Sequence, residues 1–321
     1  MRAAGLDPLL IAPRFFHYSG LAGAVLSGAL PVGANRIDVA ALARRRGLAF
    51  KAATALAVAG REIVLHDGNR VGFDLLSLNI GSEVARPIAG KGYVWPAKPL
   101  DRLARLRSAL EERITGRPHI VVAGAGWSGT EIAASIAALY ERAGETARIT
   151  LAGSPEPGPG WSGVYRSLAR RGIVLLPDRQ VAERRRHKAV LDDGAVLPCD
   201  YLVAATGLAP GPLGRRVNAA LQAVDDPAVF ASGDCAFFMP GPLPSSGVFG
   251  VRQAPVLAHN LGAWALGEPM LAFQPRRVWL SIMDLGTGQG FARWGPLWSR
   301  SATALRWKRR LDLAFVRRFQ V

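Results

Sequence analysis

Short apolar runs separated by polar, glycine-containing turns fill the first third of the chain, a pattern that favours strands over long helices. Residues 9–12 form such a run between two prolines and are predicted to be a buried strand. The Asp67-Gly68 sequence is a hairpin signal, so residues 62–65 and 73–80 on either side of it are predicted strands.

Helical patterns are fewer in this part of the chain. Small apolar residues predict a helix over residues 21–30, and a basic helix is predicted over 100–113, after a proline-bounded linker at 96–99. Residues 2–4 resemble the last turn of a helix that ends at Gly5.

The middle of the chain alternates strand and helix in the manner of a βαβ unit. Residues 119–123 and 148–152 are predicted strands, and the helix between them has one apolar face, formed by Ile132, Ile136, Leu139 and Tyr140. A helix over 164–171 and a strand over 173–176 follow, and residues 189–197 again have a hairpin pattern.

The two parts of the chain repeat one order of elements. Each has a strand–helix–strand pattern, then a hairpin, then a strand that ends in a glycine, at Gly81 and at Gly207. This repeat predicts an α/β fold with two related, Rossmann-like dinucleotide-binding domains.

The charge of the chain is strongly basic. Its 321 residues carry a formal net charge of +16, which raises the question of a nucleic-acid or membrane partner. Only five of the 40 basic residues are lysine, so the charge is mostly arginine and is interpreted as a compositional bias spread over the surface. No RNA- or DNA-reading motif accompanies it, and no nucleic-acid partner is predicted.

Cysteines and long apolar segments are scarce. Cys199 and Cys235 are too few for a disulfide framework or a metal site. The first residues have no secretory pattern, and no apolar run is long enough to span a bilayer. These features predict a cytoplasmic protein, attached at most peripherally to the inner face of a membrane.

The C-terminal segment has the pattern of a basic amphipathic helix. Cationic residues alternate there with apolar ones: Arg306, Lys308, Arg309, Arg310, Arg317 and Arg318 with Leu305, Trp307, Leu311, Leu313, Ala314 and Phe315. Such a helix can lie on an anionic membrane. It can equally pack on the rest of the protein, as a lid or as part of a homodimer.

Gly124-x-Gly126-x-x-Gly129 is the strongest chemical motif. The first glycine permits a tight turn, the second lets a pyrophosphate approach the backbone, and the third allows helix–strand packing. The motif follows a predicted strand and opens an amphipathic helix, which is the context that a dinucleotide site requires.

The sequence leaves the choice between NAD and NADP open. An acidic residue about 20 positions after the glycine motif would hold the ribose of NAD. Gly153 and Ser154 stand there instead, with Glu156 just beyond. Arg166 and Arg170 could meet the 2′-phosphate of NADP, or they could be solvated helix residues.

Three motifs in this order resemble the two-dinucleotide-binding flavoproteins of the pyridine nucleotide-disulfide oxidoreductase superfamily: residues 124–131, Ala205-Thr206-Gly207 and residues 232–236. The chain is similar to the branch near the type II NADH dehydrogenases and the flavoproteins associated with selenide, water dikinase. The stretches that carry this similarity are residues 17–20, 76–82, 247–255, 307–312 and 318–319. The resemblance extends from about residue 9 to the end of the chain.

The resemblance implies an NAD(P)-binding domain at 101–206, inserted into an FAD-binding domain built from 1–100 and 207–321. It implies an NAD(P)H dehydrogenase-type enzyme that passes hydride from NAD(P)H through FAD to a small acceptor such as a quinone. The cofactors supply the chemistry in such proteins, so no catalytic acid or base is predicted.

The resemblance also assigns residues to the two cofactors. Asp234, after Gly233, would accept a hydrogen bond from a ribityl hydroxyl group of FAD. A helix beginning near Gln253 and Ala254 would direct its N–H groups at the flavin. Glu131 would lie near the nicotinamide. The other implied cofactor-binding residues are Thr206, Gly207, Tyr18 and Ser19.

Two departures from the family pattern change the expectations. No cysteine precedes Cys199, so chemistry by a redox-active cysteine pair is not expected. The first GxGxxG, which holds FAD in such proteins, is absent together with the first strand of the FAD-binding domain. We therefore expect about 20–35 further residues upstream in the reading frame, enough for one strand, turn and helix.

Two alternatives stay open at this point. One is a truncated or flavin-free nucleotide-binding module without redox activity. The other is a basic protein, associated with membranes or nucleic acid, in which the glycine motif is only structural.

Overall fold

The computed structural model describes residues 5–320, and the helical turn predicted at residues 2–4 lies outside this range. The first part of the described chain contains the elements β1 (Leu9–Ala12), β2 (Phe15–His17), α1 (Ala22–Leu26), β3 (Arg36–Asp38), α2 (Val39–Arg45), β4 (Ala49–Ala52), β5 (Ala55–Ala59), β6 (Glu62–Leu65), β7 (Arg70–Gly72), β8 (Leu76–Leu78), β9 (Ser82–Val84) and β10 (Ala89–Lys91).

The strands predicted at 9–12 and 62–65 are present. The strand predicted over 73–80 is confined to Leu76–Leu78 (β8), because β7, which begins directly after the Asp67-Gly68 turn, is the strand that pairs with β6. The helix of this part is also shorter than predicted. β1 pairs with β4 in parallel, and β5, β6 and β7 form an antiparallel sheet in which the Asp67-Gly68 turn joins β6 to β7. The helix predicted over 21–30 ends at Leu26. The Ser27 hydroxyl donates to the carbonyl of Ala24, and Gly28 has a φ of 73°, which ends the helix.

The middle part contains β11 (Val94–Pro96), α3 (Asp101–Glu111), β12 (His119–Ala123), α4 (Trp127–Arg142), β13 (Arg148–Gly153), α5 (Trp161–Ala169), β14 (Val174–Pro177), β15 (Val181–Arg185), β16 (Lys188–Leu191), β17 (Val196–Pro198) and β18 (Tyr201–Ala204). Five of these strands form a parallel sheet in the order β11-β18-β12-β13-β14. The predicted apolar face of α4 is buried in the core next to this sheet.

The repeat predicted from the sequence is visible in the order of the sheets. In the first part, an antiparallel sheet of β5, β6 and β7 precedes β8, which joins a parallel pair. In the middle part, an antiparallel sheet that includes β15, β16 and β17 precedes β18, which joins the five-stranded parallel sheet. The predicted α/β fold is thereby confirmed.

The last part contains β19 (Leu208–Pro210), β20 (Arg215–Val217), β21 (Val229–Ala231), β22 (Ala236–Phe238), α6 (Gly247–Leu266), β23 (Leu280–Asp284), β24 (Gly290–Trp294), β25 (Leu297–Ser301) and α7 (Ala302–Phe319). β21 returns to pair in parallel with β8 of the first part. β23, β24 and β25 form an antiparallel sheet that contacts α7.

The predicted start of α6 near Gln253 was wrong, because the helix begins at Gly247. Glycine has a low helix propensity, and Gly247 and Gly250 obscured this start in the sequence. A Cβ atom at Gly250 would lie 3.3 Å from the Cα atom of Gly233, so glycine there allows the close approach of the helix to the turn.

Helix α7 packs against the protein along one face. Leu21, Ile37 and Val316 are buried together, and Leu313 and Phe315 of α7 pack against them. Of the two alternatives that the sequence left open for the C-terminal segment, this face therefore follows the second: it packs on the rest of the protein. Within residues 5–320, none of the helices combines the length and the apolar composition needed to cross a membrane.

Candidate functional site

The glycine motif forms the turn between β12 and α4, and two of its glycines are sterically required. Gly124 has a φ of 106°, and a Cβ atom there would overlap the carbonyl group of Ala205. A Cβ atom at Gly129 would overlap the carbonyl oxygen of Gly124, which confirms the close helix–strand packing expected of this position.

Gly126 is different, because the space beside it is open. A Cβ atom built at Gly126 meets only the Oε2 atom of Glu156 within 4 Å, at 3.5 Å. Gly126 is also the N-cap of α4, and this end of the helix has no side-chain cap. The first N–H groups of α4 therefore face a position where an anionic group can be bound.

Glu156, which stands just beyond the position expected for a ribose-binding acid, lies beside this turn. Gly153, at the end of β13, has a φ of 140°, and a Cβ atom there would lie 2.8 Å from the amide nitrogen of Ala125. Glu156 follows, and its N–H donates to the hydroxyl of Tyr165, which donates in turn to the carbonyl of Ala125. These contacts hold the Glu156 loop against the glycine turn.

The second motif lies on the other side of the glycine turn. Ala205 contacts Gly124, as described above, and its N–H donates to the carbonyl of Ala123. The Thr206 hydroxyl donates to the carbonyl of Arg86 at 2.6 Å. Gly207 has a φ of 88°. The structure thus brings Thr206 and Gly207 to the carboxyl end of the parallel sheet, where the glycine turn lies.

A separate polar cluster surrounds Asp234. Its Oδ2 atom accepts hydrogen bonds from the Ser82 hydroxyl at 2.9 Å and from the Lys98 ammonium group at 2.8 Å. Lys98 also donates to the Ser82 hydroxyl at 2.7 Å. The side chains of Lys98 and Asp234 are only 20% and 10% exposed, so this ion pair is largely shielded from water.

Helix α6 approaches the turn that carries Asp234. The N–H of Gly233 donates to the Oε1 atom of Gln253 at 2.6 Å, and Gln253 is buried. Ser246, the N-cap of α6, makes no side-chain cap bond. A Cβ atom at Gly247 would lie 3.6 Å from the Ser19 hydroxyl, so Ser19 is near the start of the helix. Ala254, at the start of the third turn, is exposed.

Tyr18 and Glu131 face the C-terminal part of the chain. The Tyr18 hydroxyl donates to Asp312 at 2.9 Å, and its ring stacks on Phe315. The Oε1 atom of Glu131 accepts the N–H of Asp284 at 3.0 Å. Burial raises the pKa of Glu131, and the positive charge of Lys308 opposes this increase.

A third feature is a cavity of about 290 Å³ at the carboxyl ends of β1 and β4. Its lining residues are Arg14, Asp38, Ala40, Ala41, Arg44, Phe50 and Ala52. Arg14 and Asp38 form an ion pair at 3.0 Å across it. Ligands of open α/β sheets bind beyond the carboxyl ends of parallel strands, which is where this cavity lies.

Of the two lysines in these clusters, Lys98 was not singled out from the sequence, and Lys308 was named there only as one cation of the C-terminal segment. Lys98 pairs with Asp234, and Lys308 pairs with Asp312 at 2.9 Å. A signal for them existed, because a chain with five lysines among 40 basic residues retains lysine at few positions. Two of those five make largely buried ion pairs.

Comparisons with known proteins place these features in a family. The family model described as pyridine nucleotide-disulphide oxidoreductase matches residues 23–261. Putidaredoxin reductase of Pseudomonas putida is 29% identical over 56% of this chain and 47% of its own length. Demethylphylloquinone reductase of Synechocystis is 27% identical over 78% of this chain and 71% of its own length. The chain thus spans about half the length of the first of these relatives.

Solved structures share the fold at low sequence identity. The sulfide:quinone oxidoreductase of Aquifex aeolicus has a TM-score of 0.78 and 16% identity, covering 98% of this chain and 86% of its own. NDH2 of Plasmodium falciparum, solved in complex with NADH, has a TM-score of 0.72 and 15% identity, covering 97% and 92%.

Proposed function

Because the chain belongs to the pyridine nucleotide-disulphide oxidoreductase family, we propose that it is an FAD-dependent NAD(P)H oxidoreductase that reduces a quinone-class acceptor. The cofactors of this family are FAD and NAD(P)H. One observation carries the proposal: the chain has two separate glycine turns, at Gly126 and at Gly233, each after a strand and against a helix. An enzyme that passes electrons between two nucleotides needs both.

We assign the NAD(P) site to residues 101–206, with β11 just before them at the edge of the same sheet, and the FAD site to 1–100 together with 207–321. The parallel pairing of β8 with β21 supports this division, because it joins the two outer segments. β12, β13 and β14, with α4 and α5, supply the βαβ unit of the inserted segment.

We propose NADH as the nucleotide. Gly126 leaves room for a pyrophosphate at the start of α4, and Glu156 is the nearest side chain to that space. A carboxylate there can accept hydrogen bonds from ribose hydroxyl groups, whereas it would repel the 2′-phosphate of NADPH. Glu131, five residues beyond Gly126, would then lie towards the nicotinamide.

The residues of the second site fit FAD. Asp234 can accept a ribityl hydroxyl group, and the uncapped start of α6, beside Ser19, can face the pyrimidine edge of the flavin. The cavity at Arg14 and Asp38 can hold the adenosine end. When bound, FAD accepts a hydride from the nucleotide and passes the two electrons to the acceptor.

The acceptor class is inferred from the relatives and from one surface. Two relatives of similar fold or sequence have a quinone in their names. A quinone with an apolar tail is dissolved in lipid, so its reductase benefits from contact with a membrane surface.

We propose that this contact is made by the Trp hairpin, defined as β24 and β25 with the outward face of α7. Large apolar side chains are about half exposed or more on it: Trp294 59%, Leu297 67%, Trp298 50%, Trp307 53% and Leu311 48%. Arginines accompany them at Arg293, Arg300, Arg306 and Arg310. Aromatic residues beside cations are typical of surfaces that bind anionic lipid headgroups.

The visible absorption spectrum of the purified protein tests the oxidoreductase assignment. We expect flavin bands that are bleached by NADH under anaerobic conditions and restored by a short-chain quinone. A folded protein that shows no flavin bands and takes up no added FAD would contradict the proposal. It would favour the flavin-free nucleotide-binding module instead.

A further inference from the structure

A cluster of charged groups lies where α7 meets the Ser19–Leu21 turn. The Lys308 ammonium group donates to Asp312 at 2.9 Å and to the carbonyl of Gly20 at 2.6 Å. Asp312 also accepts the hydroxyl of Tyr18 at 2.9 Å. The side chains of Lys308 and Asp312 are each only 11% exposed. The cluster is therefore well shielded from solvent.

The segment from Gly20 to Gly23 contacts the cluster at its first residue and Glu131 at its last. A Cβ atom at Gly20 would overlap Asp312 on one side of the turn. A Cβ atom at Gly23, one turn further along, would lie 3.2 Å from the Cγ atom of Glu131 on α4. Glycine at these two positions lets α7 and α4 approach the same short segment closely, because a Cβ atom at either one would crowd the side chains that face it.

Other charged groups also act on Glu131. The backbone N–H of Asp284, on β23, donates to the Glu131 carboxylate. The side chain of Asp284 forms an ion pair with Arg309 of α7. The negative charges of Asp284 and Asp312 add to the effect of burial and raise the pKa of Glu131. Lys308 carries the positive charge that lowers this pKa.

We propose that Lys308 is a positioning residue of the nucleotide site, which anchors the Ser19–Leu21 turn to α7 and holds a positive charge opposite Glu131. This inference rests on the proposed function, in which Glu131 lies beside the nicotinamide. The ring becomes positively charged when hydride leaves it, and an ionised Glu131 stabilises that charge. Helix α7 thus contributes to the nucleotide site without touching the nucleotide.

The identity of the residue is consistent with this role. Lysine is rare in this chain, at five of 40 basic residues, yet it occupies this buried position. An ammonium group is compact and has three donors, so it can bind Asp312 and the Gly20 carbonyl in a small space.

A double-mutant cycle between Lys308→Gln and Glu131→Gln tests the proposal without any cofactor. Glutamine at 308 keeps a hydrogen-bond donor for Gly20 but removes the charge, and glutamine at 131 keeps the acceptor for Asp284. The measurement is the urea midpoint of each variant between pH 5 and pH 8. Lys308→Arg, which keeps the charge, is the conservative control.

The expected result follows from the raised pKa of Glu131. A group with a raised pKa in the folded state contributes stability at low pH that is lost as the pH rises through that pKa. Removing the charge at 308 raises the pKa further, so Lys308→Gln should lose more stability at pH 8 than at pH 5. This pH-dependent loss should shrink in the Glu131→Gln background and be restored towards wild type by Lys308→Arg.

Equal losses in both backgrounds would overturn the proposal and leave Lys308 as an anchor for Gly20 and Asp312 only. A second readout is the pH profile of flavin reduction by NADH. In Lys308→Gln its acidic limb should move up by about one pH unit, the size expected for one nearby charge. If the protein oxidises no NADH, the proposed function fails, whereas the stability cycle still decides the role of Lys308.

Discussion

Gly126 and Gly129 belong to one motif, yet a substitution at Gly126 should impair NADH binding, whereas one at Gly129 should impair the stability of the fold. Gly126→Val should weaken NADH binding at least about tenfold, roughly 1.4 kcal/mol, while the protein stays folded, because the side chain enters open space that a pyrophosphate needs. Titration calorimetry and thermal unfolding measure the two effects.

Matched glycine variants complete that experiment. Gly129→Ala should destabilise the fold, because its Cβ atom overlaps the backbone of Gly124. Gly116→Val should change neither property, since a Cβ atom there meets nothing within 4 Å. Normal NADH binding by Gly126→Val would contradict the position assigned to the pyrophosphate.

The ion pair of Lys98 with Asp234 should respond strongly to the loss of one partner. Lys98→Met leaves a shielded carboxylate whose Oδ2 atom keeps the Ser82 hydroxyl as its hydrogen-bond donor but loses the cation, and should cost about 3 kcal/mol of unfolding free energy. Asp234→Asn added to Lys98→Met should recover part of this loss, because the uncompensated charge is removed. A double variant no more stable than Lys98→Met in urea unfolding would be inconsistent with this account.

Glu156 should determine the nucleotide preference. Replacing it with glutamine removes a negative charge beside Gly126, so the affinity for NADPH should rise relative to NADH by about tenfold. Competition of both nucleotides for the same protein measures the ratio. Glu145→Gln, at a partly exposed position after α4, is the control and should leave the ratio unchanged. A ratio that stays fixed in Glu156→Gln would exclude Glu156 as a determinant.

At the scale of elements, helix α7 has two roles on two faces. Its inner face is part of the core with Leu21 and Ile37, so deletion of the helix would expose that core. Deletion is therefore a poor test of surface binding, and substitutions on the outer face are better. Trp307 and Leu311 lie on that outer face and are half exposed.

The Trp hairpin should bind anionic vesicles in a salt-dependent manner. The double substitution Trp294→Ser with Leu297→Ser, at two exposed residues paired across β24 and β25, should weaken binding at least about tenfold, since each large apolar group contributes roughly 1.5–3 kcal/mol when buried. Vesicle sedimentation at low and high salt measures it, and screening should weaken binding of the unchanged protein. Val196→Ser, 51% exposed on β17, is the matched control. Undiminished binding by the double variant would exclude the hairpin as the contact.

Elements whose boundaries depend on local sterics were predicted well. The strand at residues 119–123, the glycine turn and the Asp67-Gly68 hairpin follow from short-range geometry and hydrophobic periodicity, and all three are present. α1 and α6 were not predicted correctly. Their ends depend on Gly28 and on the approach of Gly250 to Gly233, and that approach is a contact between distant segments.

At the scale of the whole molecule, the arginines and the lysines behind the net charge of +16 say different things about the structure. Most of it is arginine, as expected for a compositional bias, and it includes the arginines of the Trp hairpin. The lysines carry different information, because Lys98 and Lys308 each neutralise a shielded carboxylate. A fixed buried site constrains the size of the cation, whereas a solvated surface accepts either residue.

The sequence by itself determined the α/β fold, the repeat of two dinucleotide folds, the glycine turn and the family. These features depend on periodicity, on turn sterics and on the order of motifs, which are all local properties of the chain. The tertiary structure alone decided which charges meet. Ser82 binds Asp234 from 152 positions away, and Tyr18 binds Asp312 from 294 positions away. Such pairs follow only from the way the sheets and α7 pack, because no local pattern specifies a partner so distant along the chain.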